Sequence, residues 1–362
     1  MSEIIFTSPS KYIQGKGALR NIGEYVKDIG KKPLILSDEI VWGITGEIIE
    51  KSMKSANMDY HYVEFNGEAS LTEMDRVTKE GKENSVDVVV GVGGGKTLDT
   101  AKGIADGLEV PVVIVPSTAS TDAPTSALSV IYSEAGVFES YKFYDKNPDL
   151  VLVDTKVIAG APAALFAAGI ADAMATWVEA RATIKSNGDA MAGGKTSIAA
   201  EAIAKACEKT IFDYGEAAYQ AVQEGLVTKH VEAVVEANTL LSGLGFESGG
   251  LAGAHAIHNG LTVLEGDIHH LSHGEKVAYG TLVHLMLELH PKDELLKYVD
   301  FYKKLGMPTT LKEMHLDEFS YDELLKVGKA ATQEGETMGN LSPDITADDV
   351  ATAILAVDQL SK

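Results

Sequence analysis

Residues with the chemistry of a metal site fall in two separate segments of this 362-residue chain. Asp172 lies inside the apolar run from Leu165 to Trp177, where an ionised carboxylate needs a partner such as a cation. Carboxylates and imidazoles together bind metals such as zinc. A later stretch supplies the imidazoles, with five of the ten histidines: His255, His258, His269, His270 and His273.

The alternative is a hydrogen-bonded buried aspartate with unrelated histidines. His255 and His258 are three residues apart, which on a helix gives them one face, and the other three histidines crowd the stretch before Gly274. Spacing alone does not choose which two of the five bind a metal.

A glycine-rich loop upstream suggests a second ligand. Gly93, Gly94 and Gly95 follow an apolar strand pattern and precede a helical one, so the helix N-terminus could hold a pyrophosphate. The spacing from Gly91 to Lys96 is one residue too short for a nucleoside-triphosphate loop, and the loop follows the third strand rather than the first, unlike the usual dinucleotide fingerprint. Glycines that serve only tight strand–helix packing are the alternative.

Asp38 ends the first predicted strand and is placed to accept hydrogen bonds from an adenosine ribose. Its charge would repel a 2′-phosphate, which favours NAD over NADP. A metal and a dinucleotide in one chain indicate metal-assisted hydride transfer.

Composition narrows the partners and the compartment. The formal charge of -22 argues against nucleic acid and anionic membranes as partners. Cys207 is the single cysteine, which suits a reducing cytosol and leaves histidine and carboxylate as the metal ligands. The N-terminus has Glu3 where a signal peptide needs a base, so we expect a cytoplasmic protein. The apolar stretch from Val157 to Ala171 contains Pro162 and is shorter than the roughly 20 residues of a membrane span.

Apolar runs alternate with amphipathic stretches as far as residue 155, which predicts repeated strand–helix units and a mostly parallel sheet. The amphipathic stretches, expected to be helices, are Ile40–Ala56, Met74–Asn84 and Thr97–Leu108. The strands are expected at Leu34–Leu36, Tyr60–Phe65, Val86–Val90, Val112–Val115 and Leu150–Val153, with a hairpin of Ala127–Tyr132 and Val137–Phe143 turning at Gly136. From Pro162 onward helical patterns dominate: through Trp177, at Ile198–Phe212, Val231–Gly243, Gly249–Leu261 and Val277–Leu289, and in a final helix that starts at Thr346. The predicted fold is an α/β, Rossmann-like dinucleotide-binding domain over residues 1–160, followed by an all-α domain over residues 161–362 that binds metal and substrate.

Longer motifs carry a family resemblance over essentially the whole chain. They are Lys11–Gly15, Gly93–Lys102, Ser120–Tyr132, Gly169–Arg181, Gly245–Leu251, Ala254–Thr262 and His273–Val277. With these segments the chain resembles the iron-containing alcohol dehydrogenases, and among them the glycerol dehydrogenases.

The resemblance implies which residues form the site. Zinc would be bound by Asp172, His255 and His273, with His258 behind them or on the substrate side. Iron-using relatives have a further histidine where this chain has Thr176, so zinc is favoured and a fourth position stays open for substrate. Asp122 matches the aspartate that contacts the substrate. The implied NAD contacts are Asp38, Gly94, Gly95, Lys96, Asp99, Ser117, Ser120, Ser126, Leu128 and Tyr132.

The resemblance also implies the reaction: reversible oxidation of glycerol to dihydroxyacetone by NAD⁺, in a cleft between the two domains, by a homo-oligomer, commonly an octamer. Other vicinal diols are expected to react. Two related activities, 3-dehydroquinate synthase and glycerol-1-phosphate dehydrogenase, need basic residues to hold anions, and the sequence shows no Lys/Arg cluster near the site residues. A non-catalytic NAD sensor with a structural zinc is the remaining alternative.

Overall fold

A six-stranded parallel sheet organises the N-terminal half in the computed structural model, which describes residues 3–362 apart from the side chain of Phe138. The strands are β1 (Tyr12–Gly15), β2 (Pro33–Ser37), β3 (His61–Glu64), β4 (Val88–Gly93), β5 (Val112–Pro116) and β8 (Leu150–Asp154), in the spatial order β1-β8-β5-β4-β2-β3. The helices are α1 (Ile22–Val26), α2 (Glu39–Ser55), α3 (Leu71–Glu83), α4 (Gly95–Leu108) and α5 (Thr155–Ala159).

The burial of the central strands is typical of a parallel sheet covered on both faces. Every residue of β2, β4, β5 and β8 is buried, as expected for strands whose two faces are both covered. The strand order reverses direction between β2 and β4, which are hydrogen-bonded neighbours with Leu36 opposite Gly91. The carboxyl ends of such neighbours are where α/β sheets bind ligands. The predicted α/β fold with a mostly parallel sheet is confirmed.

The predicted hairpin is present as a separate two-stranded antiparallel sheet of β6 (Leu128–Tyr132) and β7 (Phe138–Phe143). Gly136 has a φ of 78°, a left-handed conformation that glycine adopts without strain, so the turn falls where the sequence indicated. Strand β1 was not predicted. Its four residues are only partly buried and lie at the sheet edge against β8, so they lack the apolar run that identifies the central strands.

The C-terminal half is helical in the described residues, as predicted. Its helices are α6 (Ala163–Ser186), α7 (Ile198–Gln223), α8 (Lys229–Glu236), α9 (Ser242–Gly249), α10 (Gly253–Leu261), α11 (His273–Leu287), α12 (Lys292–Lys304), α13 (Tyr321–Ala331) and α14 (Ala347–Ser361). A π-helical turn, Ala237–Leu241, joins α8 to α9. Helices α12 and α13 were not predicted.

Helix α6 corrects one sequence argument. The apolar stretch does not end at Ala171, because α6 continues to Ser186 and its 24 residues are long and apolar enough to cross a membrane. Within its most apolar window 78% of the residues are buried inside the protein, and core helices pass the same test of length and composition. The length argument against a membrane span therefore fails, and burial is the informative property of this helix.

The chain divides into two compact units. The first, called the sheet-containing unit, contains Ser8–Phe166 and Ala221–Gly243. The second unit contains the N-terminal residues up to Thr7 with Ala167–Gln220 and Leu244–Lys362. The sequence suggested one boundary, after residue 160, whereas the chain changes unit after Thr7, Phe166, Gln220 and Gly243.

Candidate active site

Three helices of the second unit bring together Asp172, His255 and His273. Asp172 lies in the middle of α6, His255 in the first turn of α10, and His273 at the first position of α11. A capping box of Ser272 and Glu275 fixes where α11 begins. A Cβ at Gly274 would lie 2.0 Å from the carbonyl oxygen of Ala168, so only glycine lets the start of α11 contact the α6 backbone beside Asp172.

The distances suit a single metal ion. Oδ1 of Asp172 lies 3.1 Å from Nε2 of His273 and 3.5 Å from Nε2 of His255, and the three ligand atoms lie within 4.8 Å of one another. Tetrahedral zinc with bonds of about 2.1 Å sets its ligand atoms roughly 3.4 Å apart. Asp172 is 1% exposed, while the side chains of His255 and His273 are 14% and 36% exposed. The three side chains therefore fit a metal with an accessible side.

Glu179 fixes the orientation of His255. Its Oε2 lies 2.6 Å from Nδ1 of His255, and its Oε1 accepts hydrogen bonds from the backbone N–H groups of Ala252 and His255, both at 2.9 Å. A carboxylate on the outer nitrogen of a ligand histidine sets its tautomer and raises its basicity. Sequence analysis missed Glu179, although it lies seven residues after Asp172 and hence on the same face of α6.

Charges in the cluster depend on one another. Burial raises the pKa of the Asp172 carboxyl, but the charge of His273 and hydrogen bonds from both histidines outweigh it and hold that pKa below its usual value. Burial likewise opposes ionisation of Glu179, yet His255 keeps its pKa low. Burial lowers the pKa of His255, but Glu179 and Asp172 raise it well above the ordinary value. The site is built to keep two carboxylates ionised and attracts positive charge.

The structure separates the other histidines. His258 contacts His273, with Nε2 3.1 Å from Nδ1 of His273, and burial and then the charge of His273 lower the pKa of His258 well below its usual value. His269 donates to the carbonyl oxygen of Leu264 at 2.6 Å, and His270 is exposed. Among the described residues only His255 and His273 join Asp172 in a metal-type cluster.

The glycines at the end of β4 and the start of α4 have two different functions. A Cβ at Gly91 would lie 2.5 Å from Cβ of Ala101, and one at Gly93 would lie 2.6 Å from Thr97, so these two glycines serve strand–helix packing. At Gly94 no atom would lie within 4 Å, and at Gly95 the nearest would be 3.8 Å away. Gly94 and Gly95 therefore leave open space at the N-terminus of α4, where backbone N–H groups can bind an anion.

Asp38 lies directly after β2, at the same edge of the sheet as the glycine loop after β4. It is the N-cap of α2, with Oδ1 accepting from the backbone N–H of Val41 at 2.9 Å. This capping occupies Oδ1 and explains the local role of the residue. A ribose contact would use the other carboxylate oxygen.

Lys96 and Asp99 on α4 have protein partners. Lys96 pairs with Glu68 at 2.8 Å, and its Nζ lies 5.1 Å from the centre of the Tyr132 ring, whose hydroxyl pKa burial raises to about 12. Asp99 is buried and accepts from the backbone N–H of Val130 at 3.0 Å. Its carboxylate thus holds the hairpin in place, and its predicted contact with NAD stays a prediction.

A buried lysine that sequence analysis missed contacts three of the predicted cofactor residues, Asp99, Ser126 and Leu128. Lys102 is 3% exposed and donates to the carbonyl oxygens of Ala123 and Leu128 at 2.7 and 2.9 Å, to Oγ of Ser126 at 3.2 Å, and to Asp99 at 3.4 Å. It therefore fixes the segment that carries Ser126 and Leu128.

Two predicted serines lie on the loop after β5. The backbone N–H of Ser117 donates to the carbonyl oxygen of Gly93 at 2.9 Å, which joins the loop after β5 to the glycine loop. The hydroxyl of Ser120 contacts that of Thr118 at 3.0 Å.

Asp122 belongs to the sheet-containing unit and is 9% exposed. Its Oδ2 accepts from the hydroxyl of Ser242 at 2.8 Å. Asn238, in the π-helical turn, donates to the carbonyl oxygen of Ala119 at 3.0 Å, and a Cβ at Gly243 would lie 1.8 Å from the hydroxyl of Thr125. The π-helical turn and the start of α9 thus hold the Asp122 loop, a support that sequence patterns did not indicate.

Comparison with known proteins agrees with this architecture. Residues 9–155 match the family described as iron-containing alcohol dehydrogenase. Glycerol dehydrogenase from Citrobacter freundii is 47% identical over 99% of this chain and 98% of its own length, and glycolaldehyde reductase from Halobacterium salinarum is 44% identical over 99% and 98%. The crystal structure of glycerol dehydrogenase from Schizosaccharomyces pombe superposes with a TM-score of 0.96 at 45% identity, over 100% of this chain and 92% of that chain.

The fold and the named relatives define an oxidoreductase that acts on a CH–OH group, in a family that supports NAD and a metal as cofactors. The chain belongs to the iron-containing alcohol dehydrogenase family, in the group that includes the glycerol dehydrogenases. The resemblance seen in the sequence is confirmed.

Proposed function

We propose that the protein oxidises glycerol to dihydroxyacetone with NAD⁺, reversibly, and accepts other vicinal diols. The observation that carries the proposal is the cluster of Asp172, His255 and His273 in a chain 47% identical over nearly its full length to a glycerol dehydrogenase. NAD and a metal are the cofactors that the family supports. The finer assignments, zinc as the metal and NAD over NADP, are parts of the proposal.

Thr176 supports zinc. It stands one turn after Asp172 on α6, where iron-using relatives have a further histidine, and it is 2% exposed. A Cβ at Gly245 would lie 2.4 Å from Cγ2 of Thr176, so this side chain fills packing space. Three protein ligands then remain, one carboxylate and two imidazoles, a set typical of catalytic zinc with an open position.

The chain's own residues bind and orient the reactants. Asp172, His255 and His273 would hold the ion, with Glu179 fixing the ring of His255. Bound zinc supplies Lewis acidity that lowers the pKa of an alcohol hydroxyl, and NAD⁺ supplies the hydride acceptor. Asp122, positioned by Ser242, suits a second hydroxyl of the substrate or its departing proton, because an ionised carboxylate is an acceptor only.

The predicted cofactor residues would contact different parts of NAD along the edge of the sheet. Gly94 and Gly95 would admit the pyrophosphate to the N-terminus of α4, with Lys96 beside it. Asp38 would accept from the adenosine ribose through Oδ2. Tyr132 and the segment fixed by Lys102 would lie on the nicotinamide side.

A second candidate is glycolaldehyde reduction. The similarity to the reductase from Halobacterium salinarum favours it, at 44% identity against 47% for the glycerol dehydrogenase. Both reactions interconvert a carbonyl and a hydroxyl next to a second oxygen, so one site could serve both. The relative kcat/KM values for glycerol oxidation and glycolaldehyde reduction decide between them.

The testing experiment is an NADH-formation assay on a substrate panel, with and without a chelator. If the metal binds two neighbouring oxygens, glycerol, 1,2-propanediol and 2,3-butanediol should exceed 2-propanol by orders of magnitude in kcat/KM, because the second oxygen holds the reacting carbon in place. Chelation should leave a folded, inactive protein, since a purely structural metal would take the fold with it. Efficient turnover of glycerol phosphate, or no turnover of any diol, would contradict the proposal.

We also propose a cytoplasmic homo-octamer. The assembly rests on the family resemblance, and the compartment rests on the single cysteine, Cys207, which is buried and unbridged. Light scattering on the purified protein tests the oligomeric state directly.

A further inference from the structure

A chain of three hydrogen bonds leads away from His273 within the second unit. Nδ1 of His273 lies 3.1 Å from Nε2 of His258. Nδ1 of His258 lies 3.0 Å from Oδ1 of Asn259, whose Nδ2 lies 3.2 Å from Oε2 of Glu336 and 3.4 Å from its Oε1. These hydrogen bonds therefore connect His273 of the candidate metal site to the carboxylate of Glu336 in another part of the sequence.

The donors and acceptors along this chain agree in direction. Nε2 of His273 lies 3.1 Å from Asp172, in the cluster that would hold the metal, and with Nε2 bound to the ion the hydrogen of the neutral ring would lie on Nδ1 and be donated to His258. His258 then accepts through Nε2 and donates through Nδ1 to the amide oxygen of Asn259. The amide nitrogen of Asn259 donates to Glu336, whose ionised carboxylate can only accept. Reversing any link would leave two donors or two acceptors facing each other.

The segment that carries Glu336 is fixed to the loop before α10. The hydroxyl of Thr337 donates to the carbonyl oxygen of Ala252 at 2.7 Å, and Nδ2 of Asn340 donates to that of Leu251 at 2.8 Å. These two bonds hold the segment that carries Glu336 next to the start of α10, the helix that contains His255. A carboxylate anchored in this way can orient the side chains that donate to it.

We propose that Glu336 is a positioning residue of the metal site, acting through Asn259 and His258 to fix the tautomer and ring orientation of His273. This inference rests on the proposed function, which places a metal at Asp172, His255 and His273. It gives the two ligand histidines equivalent support: Glu179 binds His255 directly, and Glu336 supports His273 through two side chains.

The test measures metal affinity on metal-free protein, with zinc competed against a chelator and cobalt observed by its visible absorption. Loss of an outer partner of a ligand typically weakens metal binding 10–100-fold. Glu336→Ala should weaken zinc binding about tenfold and change the cobalt spectrum, whereas Glu336→Gln, which keeps an oxygen acceptor, should restore most of the affinity. The matched control is Glu334→Ala, which removes the same charge from an exposed position two residues away.

Asn259→Ala provides a second test of the proposed role of Glu336. If the residues act as one chain, Asn259→Ala should match Glu336→Ala, and the double variant should lose no more than either single variant. Circular dichroism on each variant excludes misfolding as the cause. Equal zinc affinity in Glu336→Ala and Glu334→Ala, or additive losses in the double variant, would overturn the inference. Failure of the unmodified protein to bind zinc at all would contradict the proposed function instead.

Discussion

Asp172 and Glu179 place two carboxylates on one face of α6, both almost completely buried. Two ionised groups in a helix core are costly unless positive charge compensates them. Two partly exposed histidines face them, which gives the cluster the donor set and the electrostatic demand of a cation site. The metal-ligand assignment can be tested one residue at a time.

The first prediction is that Asp172→Asn, His255→Ala and His273→Ala each lose bound metal and activity while the fold remains. Each variant removes one of three ligands, and a catalytic site with two protein ligands holds metal poorly. Elemental analysis gives the metal content, and circular dichroism reports the fold. Full occupancy in any one variant would show that its residue is not a ligand.

The second prediction concerns Asp38. Replacement by glycine should weaken NAD binding and shift the cofactor preference toward NADP, because the carboxylate would accept from the ribose and repel a 2′-phosphate. The lost charged hydrogen bond is worth about 1.5–3 kcal/mol, or roughly 10–150-fold in affinity. Asp38→Asn is the informative control, since asparagine also caps helices well. An unchanged ratio of kcat/KM for the two cofactors would place Asp38 away from the ribose.

Site residues could be predicted where a local sequence pattern marks them, but not where their role depends on contacts between distant parts of the chain. An aspartate in an apolar helix and a histidine-rich stretch were visible, but choosing His255 and His273 from five histidines required the family resemblance. Glu179, Lys102 and Ser242 were missed because each meets its partner from a distant part of the chain.

At the level of elements, Lys102 connects helix α4 to the loop before β6 and to the start of that strand. Its buried ammonium adds side-chain hydrogen bonds to the backbone pairing of Leu128 with Phe143 in the hairpin. The segment includes Ser126 and Leu128 and follows directly on Asp122, so one cation supports the part of the proposed cofactor site nearest to Asp122 in the sequence.

The third prediction is that Lys102→Met destabilises the fold by about 3–5 kcal/mol, since it leaves the buried Asp99 carboxylate without its cation and removes one donor from two carbonyl groups. Urea unfolding gives the free energy. Lys79→Met, at an exposed position on α3, is the matched control and should change stability by less than about 0.5 kcal/mol. Equal stability of the two variants would contradict the role given to Lys102.

Elements with strong hydrophobic periodicity were predictable, and those that depend on context were not. The central strands, the hairpin and α2 to α4 appeared near their predicted positions. Strand β1 is short and at the sheet edge, and the π-helical turn at Ala237–Leu241 interrupts an otherwise ordinary helical pattern. Such features arise from pairing and packing rather than from local preference.

At the level of the whole molecule, the sheet-containing unit includes a distant segment, Ala221–Gly243. That segment contributes specific bonds: Glu232 accepts from Gln14 and Thr155, and the hydroxyl of Thr239 contacts that of Tyr12 at 2.7 Å. The sequence-derived division after residue 160 would cut these contacts.

The fourth prediction follows from this composition. A fragment of Ser8–Phe166 alone should be less stable than the same fragment joined to Ala221–Gly243 by a flexible linker, because the latter completes the unit. A linker is feasible, since a Cβ at Gly225 would lie 3.9 Å from the carbonyl oxygen of Ala159. Thermal unfolding compares the two fragments. Identical midpoints would show that the distant segment adds nothing to the unit.

The position of Ala221–Gly243 in the chain also constrains biosynthesis. The ribosome adds Phe166 to the nascent chain before it has made Ala221–Gly243, the segment that completes the sheet-containing unit. At about 5–20 residues per second, the delay between Phe166 and Gly243 is roughly 4–15 s. During that delay the nascent chain exposes the surface that α8 and the π-helical turn later cover. Translation speed between these two residues should therefore influence how much of the newly made chain reaches the native state and how much is captured by chaperones.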